Sequence, residues 1–395
     1  MAGKKGAVSF NGSSWSHPIK VLQEDGSTKY LKRAGFKTKE EAETSCQNYE
    51  EQYAESVKAY QLNHVVDRDI GTIEYLKYWF EDIFSLRVQS STRMVEAYVL
   101  YDLILPVFEQ DVKLQLFNSE FVDALLHRVS AICESAGNKS REFLNMAMKE
   151  AVVQGYIDKN PITASISYPR KQPSVTILGK ERIKEFLSVA QHNYWYLEIL
   201  LALFCGLRKG EIQGLKFSDF DMEQETVSIE RQITSNPIIP KGQSKILKYR
   251  IVEKPPKTPN SFRVIHVPKP ILEEVRQRKN KQESLKRELG EEYIDNDYVS
   301  CQENGIPHSV TAFNTALTKL CKRNGFPHIT VHGLRHMYAT ILLEQKVSIK
   351  KISALLGHAS VHTTFEYYCD QMDENEKIIG FMNDVFIVGG SDKSD

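Results

Sequence analysis

Between Leu334 and Leu356 apolar residues recur in two runs at helical spacing. Leu334, Met337, Tyr338, Ile341 and Leu342 share one face of a helix, and Arg335 falls outside that stripe. Ser348 stands where a second helix would be capped, with Ile349, Ile352, Leu355 and Leu356 turned inward and Gly357 as its natural stop. His358 therefore follows a helix end, where a side chain can be aimed at a ligand. Ser360 is placed to cap a third short helix carrying Tyr367 and Tyr368.

The same patterning divides the rest of the chain. Trp15 to Val21 and Thr28 to Ala34 read as strands around the turn Glu24-Asp25-Gly26-Ser27. A helix follows, with Thr38 as N-cap and Glu41 completing a capping box. Residues 72–165 hold four or five amphipathic helices, the first opened by Thr72 as its cap and the last ended by Gly155 and Asn160-Pro161. The next stretch is rich in Pro, Ser and Thr, lacks helical pattern and reads as a linker. Beyond it come two helices, the second buried and stopped at Gly206. Arg208 then starts a new helix with Glu211 one turn on as its hydrogen-bonding support. Strands are expected at ETVSIERQI and FRVIHVP, with a long basic loop between them. A long helix (271–289), the strand-like YVSC and a helix at 310–324 lead back to the opening stretch. The expected fold is multidomain α+β: a small β-sheet-plus-helix domain (1–66), an all-helical domain (67–165), a linker (166–178) and a mostly helical domain with a small antiparallel sheet (179–395).

Composition narrows the function classes. At 395 residues, 41% of them hydrophobic, the chain is globular and long for one core. No apolar run approaches a membrane span, so no membrane partner is expected. Six cysteines without a C-x-x-C pair suit free thiols in the cytoplasm. His332 and His336 are four apart, but the carboxylate of a His-Glu-x-x-His zinc site is missing, which leaves the metal reading weak. The formal net charge is zero, yet it is segregated. Residues 1–39 carry eight Lys and Arg against Glu24 and Asp25, and residues 237–269 carry eight against Glu253 alone. Such patches build a local positive field in a neutral protein.

The combination H-x-L-R-H (332–336), L-G-H (356–358) and T-T-x-x-Y-Y (363–368) resembles the tyrosine recombinases, the integrase family of phages and conjugative transposons. G-L-R-x-G-E-I (206–212) resembles the family's first arginine motif, and K-T-x-x-S-x-R (257–263) the setting of its lysine. A-V-x-x-G-Y-I-x-x-N-P (151–161) resembles the end of its helical core-binding domain. G-F-K-T-K-E-E-A (35–42) resembles a phrase of its arm-binding domain. The resemblance implies a catalytic set of Arg208, Lys257, His332, Arg335, His358 and Tyr368, with Lys254 the rival of Lys257 and Tyr367 that of Tyr368.

In that reading the two arginines and His358 neutralise a pentavalent phosphate, since guanidinium groups stay charged and bond phosphate oxygens in pairs. His332 assists loss of the tyrosine proton, and the lysine gives a proton to the leaving 5′-oxygen. The product is a 3′-phosphotyrosine, and neither metal, cofactor nor ATP is required. Implied partners are double-stranded DNA at core and arm-type sites, further copies of the chain in a tetramer, and accessory DNA-bending or directionality proteins. The implied location is the bacterial cytoplasm, at the nucleoid. Lys139, Arg141 and Lys149, with Arg170 and Lys171 of the linker, are candidate phosphate contacts, and Thr234 to Tyr249 is expected to be ordered only on DNA. The apolar residues Ile378, Ile379, Phe381 and Met382 suit docking onto a neighbouring protomer. Two alternatives remain: a type IB topoisomerase using the same chemistry, and an inactive DNA-binding regulator on the same scaffold.

Overall fold

The computed structural model describes residues 8–10, 13–165, 176–256, 259–358, 360–361 and 364. Its contacts divide the chain into two compact units, Met1–Gln172 with Pro237–Tyr249, and Pro173–Asn236 with Arg250–Asp395. No helix among the described residues is long and apolar enough to cross a membrane.

The first unit opens with an antiparallel sheet of Ser9–Phe10, Trp15–Leu22 and Thr28–Phe36, in that order. The two longer strands match the expected pair; the two-residue first strand has too little pattern to be read. The helix Lys39–Asn63 starts as predicted, with the Thr38 hydroxyl accepting from Glu41 N and the Glu41 carboxylate bonding back to Thr38 N. It covers the central strand, where Ile19, Ala42 and Cys46 form a small core and buried His17 bonds Ser45 Oγ at 2.9 Å. The outer strand is left uncovered, and Lys29, Tyr30, Leu31, Lys32 and Arg33 are all exposed.

The helical part packs around Tyr75, Leu76, Trp79, Phe80, Leu100 and Phe143, each buried to within 1%. Thr72 does not cap the first helix. Gly71 holds that position, and the Thr72 hydroxyl, buried inside the first turn, donates instead to the Val112 carbonyl at 2.7 Å. The end of the last long helix is as read: Gly155 adopts φ +90°, and the Asn160 side chain caps the turn Pro161–Ala164. Arg141, a candidate phosphate contact, is tied into the fold. Its Nε donates to Ser165 Oγ at 3.0 Å and its Nη2 to the Ile162 carbonyl at 2.9 Å, which fastens that turn to the helix. Residues 237–249 belong to this unit because Ile239 is buried in its core, Arg93 bonds the Ile239 carbonyl at 2.8 Å, and Lys241 pairs with Asp82 at 2.5 Å.

In the second unit the apolar helix Tyr196–Phe204 is the central post, packed against Val331–Glu344. A three-stranded antiparallel sheet lies beside it, in the order Phe220–Asp221, Thr226–Ile229, Arg263–His266. The segment read as one strand, ETVSIERQI, is divided between Thr226–Ile229 and Gln232–Ile238. The latter pairs with Lys248–Lys254, so the two ends of the stretch expected to need DNA for order, 234–238 and 248–249, lie in a two-stranded ladder. Basic residues mask the pattern of Lys248–Lys254 and Pro237 that of Gln232–Ile238, although Ile233 and Ile239 are buried anchors. YVSC forms isolated bridges, Lys216 to Tyr298 and Cys301 to Pro307, rather than a strand.

Candidate active site

Arg208 stands at the N-cap position of the short helix Lys209–Gly214. The chain arrives there through Gly206, whose φ is +62° and where a Cβ would fall 2.4 Å from the Tyr338 ring. Glu211, 2% exposed, closes the turn: its carboxylate accepts from Arg208 N at 2.9 Å and from Arg208 Nη1 at 2.7 Å. A buried carboxylate costs several kcal/mol unless it is paired and hydrogen-bonded. Here it is met by three arginines, since Arg263 bonds both oxygens and Arg335 Nη1 lies 4.0 Å away. Burial raises the Glu211 carboxyl pKa, but the bonds and charge of Arg263 and Arg208 outweigh that and hold it below the ordinary value.

The helix Val331–Glu344 starts from Thr330, whose hydroxyl accepts from Gly333 N at 2.9 Å. That start puts His332 in the first turn, on the exposed side, with Arg335 one turn on. Arg335 lies inside rather than beyond the apolar face, and is only 2% exposed. It survives burial because backbone carbonyls receive it: Nη1 donates to Gly206 O at 2.7 Å and Nη2 to Leu356 O at 2.6 Å.

The helix Ile349–Leu356 is capped by Ser348 and stopped by Gly357 at φ 63°, ψ 44°, as its sequence predicts. Its last turn is where the arginines converge. The carbonyl of Leu355 accepts from Arg263, that of Leu356 from Arg335 and that of Gly357 from Arg208. The partial negative charge of a helix C-terminus favours cations there. The next residue is His358, its backbone N bonded to Ser353 O at 3.0 Å and its Nδ1 2.8 Å from the Oγ1 of fully buried Thr364. With the Thr364 hydroxyl donating, Nε2 carries the ring proton and is the atom available to an acceptor.

The positive cluster also sets the histidines' charge. Burial first, then the Arg335 and Arg208 guanidiniums, push His358 down to about 4. Loss of solvation and the same two arginines lower His332. His336, against whose ring His332 stands edge-on at 4.4 Å between centroids, is also held at about 4, by burial first, then by repulsion from His332 where both rings would be protonated, and by the Arg335 charge. Near neutral pH His358 is therefore a neutral hydrogen-bond donor and His332 a neutral ring able to take a proton.

Residues 177–375 match the sequence model of the phage integrase family. The chain belongs to that family, the tyrosine recombinases. A XerC-like tyrosine recombinase of Caldanaerobacter subterraneus subsp. tengcongensis is 31% identical over 62% of this chain and 65% of its own length. The ICEBs1 integrase of Bacillus subtilis is 24% identical over 64% of this chain and 67% of its own. The transposase of transposon Tn916 from Enterococcus faecalis is 26% identical over 58% of this chain and 57% of its own. The matches thus span about three fifths to two thirds of these relatives. Among solved structures, the Tn1549 transposon integrase in complex with a circular intermediate DNA has a TM-score of 0.62 at 19% identity. That likeness covers 76% of this chain and 95% of the other. A lambda integrase dimer bound to a core site reaches 0.54 at 15% identity over 94% of this chain and 96% of the other. At these identities the likeness is one of fold.

Of the six residues the family motifs select, the structure gathers Arg208, His332, Arg335 and His358. Lys257, Tyr368 and the alternative Tyr367 lie outside the described residues. The rival Lys254 is described, at the end of its strand with Nζ 3.1 Å from Asn236 Oδ1. Arg263, to which the sequence reading gave no role, lies in the same cluster through its bonds to Glu211. It stands in K-T-x-x-S-x-R, but nothing in the sequence announces a bond to Glu211, 52 residues away.

Proposed function

We propose that the chain is a site-specific DNA recombinase that cleaves and rejoins strands through a 3′-phosphotyrosine, integrating and excising a mobile element. The observation that carries this reading is the convergence of Arg208, Arg335 and His358 on one helix end, with His332 beside them. Two permanently charged guanidiniums and a neutral imidazole donor are what the equatorial oxygens of a pentavalent phosphate need.

Tyr368 Oη attacks the phosphorus and the P–O5′ bond breaks. The phenol proton passes to His332, whose lowered pKa leaves it neutral and receptive near pH 7. Lys257 returns a proton to the departing 5′-oxygen. The phosphotyrosine keeps the energy of the broken diester, so a second 5′-hydroxyl reverses the step on a new strand.

Support for DNA as the partner comes from fold neighbours solved on circular-intermediate and core-site DNA. The exposed Lys29–Arg33 face of the small sheet suits a second contact at arm-type sequences. Assembly as a tetramer, accessory DNA-bending or directionality proteins and placement at the bacterial nucleoid belong to the same reading.

The test is covalent trapping on a nicked duplex spanning the element's end, with chelator present. The expected product is protein on a 3′ end with a free 5′-hydroxyl. A 5′-linked adduct, or loss of cleavage on chelation, would rule the mechanism out. Tyr368→Phe should bind DNA and form no adduct, while an adduct mapped by mass spectrometry to Tyr367 would transfer the role to that residue.

A further inference from the structure

Arg263 is not among the six residues to which strand cleavage is assigned, yet its side chain is 7% exposed and reaches three separate segments. Nη1 and Nη2 bond the two Glu211 oxygens at 3.1 and 2.8 Å. Nε donates to the Leu355 carbonyl at 2.8 Å, and Nη1 also to the Ser261 carbonyl at 3.0 Å. Each segment holds part of the cleavage machinery. Glu211 orients Arg208, Leu355 lies in the last helical turn before His358, and Ser261 closes the turn that follows Lys257. That turn is tied to the helix end a second time, by Asn260 Nδ2 on the His358 carbonyl at 3.4 Å.

The geometry asks for an arginine. A planar fork satisfies both carboxylate oxygens while Nε points away toward a third acceptor, which a lysine's single nitrogen cannot do. Gly357 has also been cleared for it: at φ +63°, a Cβ there would fall 3.0 Å from Arg263 Nη1 and 3.1 Å from the Asn260 carbonyl.

We propose that Arg263 is a positioning residue for strand cleavage, holding Arg208, His358 and the turn after Lys257 in one frame without itself contacting the scissile phosphate. The proposal rests on the recombinase reading above. It differs from a purely structural role because two of its four bonds go to Glu211, so much of its effect should pass through that carboxylate and the two residues should not act independently.

The experiment measures the single-turnover rate of adduct formation at saturating nicked duplex spanning the element's end. The full chain is compared with Arg263→Gln, Arg263→Lys, Glu211→Gln and the double variant, with DNA half-saturation and thermal melting measured in parallel. Arg263→Gln should slow adduct formation by on the order of 100-fold, the scale of a misplacement of about 1 Å, with half-saturation within about threefold. In the Glu211→Gln background the same change should cost less than about fivefold, because groups acting as a unit are not additive. Arg263→Lys should recover part of the rate. The proposal fails if Arg263→Gln cleaves within about threefold of the parent, or if the two losses simply multiply. Should the Gln variant not fold, Arg263→Lys decides: a folded Lys variant at the full parental rate overturns it. A parent chain that forms no adduct defeats the recombinase reading instead.

Discussion

Nη2 of Arg208 donates to the carbonyl of Gly357 at 2.8 Å, joining residues 149 apart in the chain. The first arginine motif and the second histidine motif are thus one object, because Gly357 immediately precedes His358. The arginine holds the histidine's loop, and the loop orients the arginine.

Arg208→Lys keeps the charge but cannot bond Glu211 and Gly357 together. Adduct formation should fall roughly 100- to 1,000-fold, the usual cost of one lost transition-state donor. DNA affinity should change little. Quenched time courses on the nicked substrate separate the two.

Gly206→Ala should destabilise the fold by about 1–3 kcal/mol, the cost of a residue in a disfavoured backbone region, with more from the Tyr338 clash. Urea unfolding of the full chain checks it. A neutral result would mean that Tyr338 and the turn can both yield.

Stability should decrease as the pH is lowered from about 6.5 to about 4. Folding depresses the pKa of both His336 and His358 to about 4, from an unfolded value near 6.5. Above about 6.5 both states are neutral and neither histidine contributes. Within the window the unfolded chain binds protons that the folded chain refuses, so stability rises with pH; below about 4 the loss levels off. Urea midpoints at the two ends of the window should differ less for His336→Asn than for the parent. An equal difference would place the proton uptake elsewhere.

Lys29 and Lys32 lie exposed on the uncovered outer strand of the small sheet. If both contact phosphates, replacing them with Ala should reduce the slope of log affinity against log salt by about 0.9 per residue. The loss should be confined to DNA carrying arm-type sequences, as footprinting would show. Point changes suit this better than removal of residues 1–66, because Gln61 Nε2 bonds the Val152 and Val153 carbonyls at 2.9 and 3.1 Å. Uniform weakening on all DNA would leave the strand a nonspecific contact.

Local chemistry made much of this legible in the sequence. The Thr38 capping box and the Ser348-to-Gly357 helix follow from side chains acting within one turn of themselves. So does the Glu211 support of Arg208. Residues whose partners are distant backbone atoms were harder to read. Arg335 was expected beyond the apolar face, but carbonyls at 206 and 356 draw it inside. Thr72 resembles a cap until the Val112 carbonyl, 40 residues on, claims its hydroxyl. The Ile162 and Ser165 acceptors of Arg141 likewise leave no mark on the pattern of charges.

The acceptors at Leu355, Leu356 and Gly357 are main-chain oxygens, and every amino acid supplies one. No side chain at Leu355 or Leu356 is itself an anchor of the arginines, so those two positions can vary as far as packing allows, whereas Gly357 is held by its left-handed backbone and by Arg263 and Asn260 against it. The vulnerability lies in chain length. One residue inserted within the helix ahead of Leu355 would turn the following backbone by about 100° around the helix axis and offer the arginines the wrong oxygens. Across related sequences this segment should tolerate changes of letter far better than changes of count.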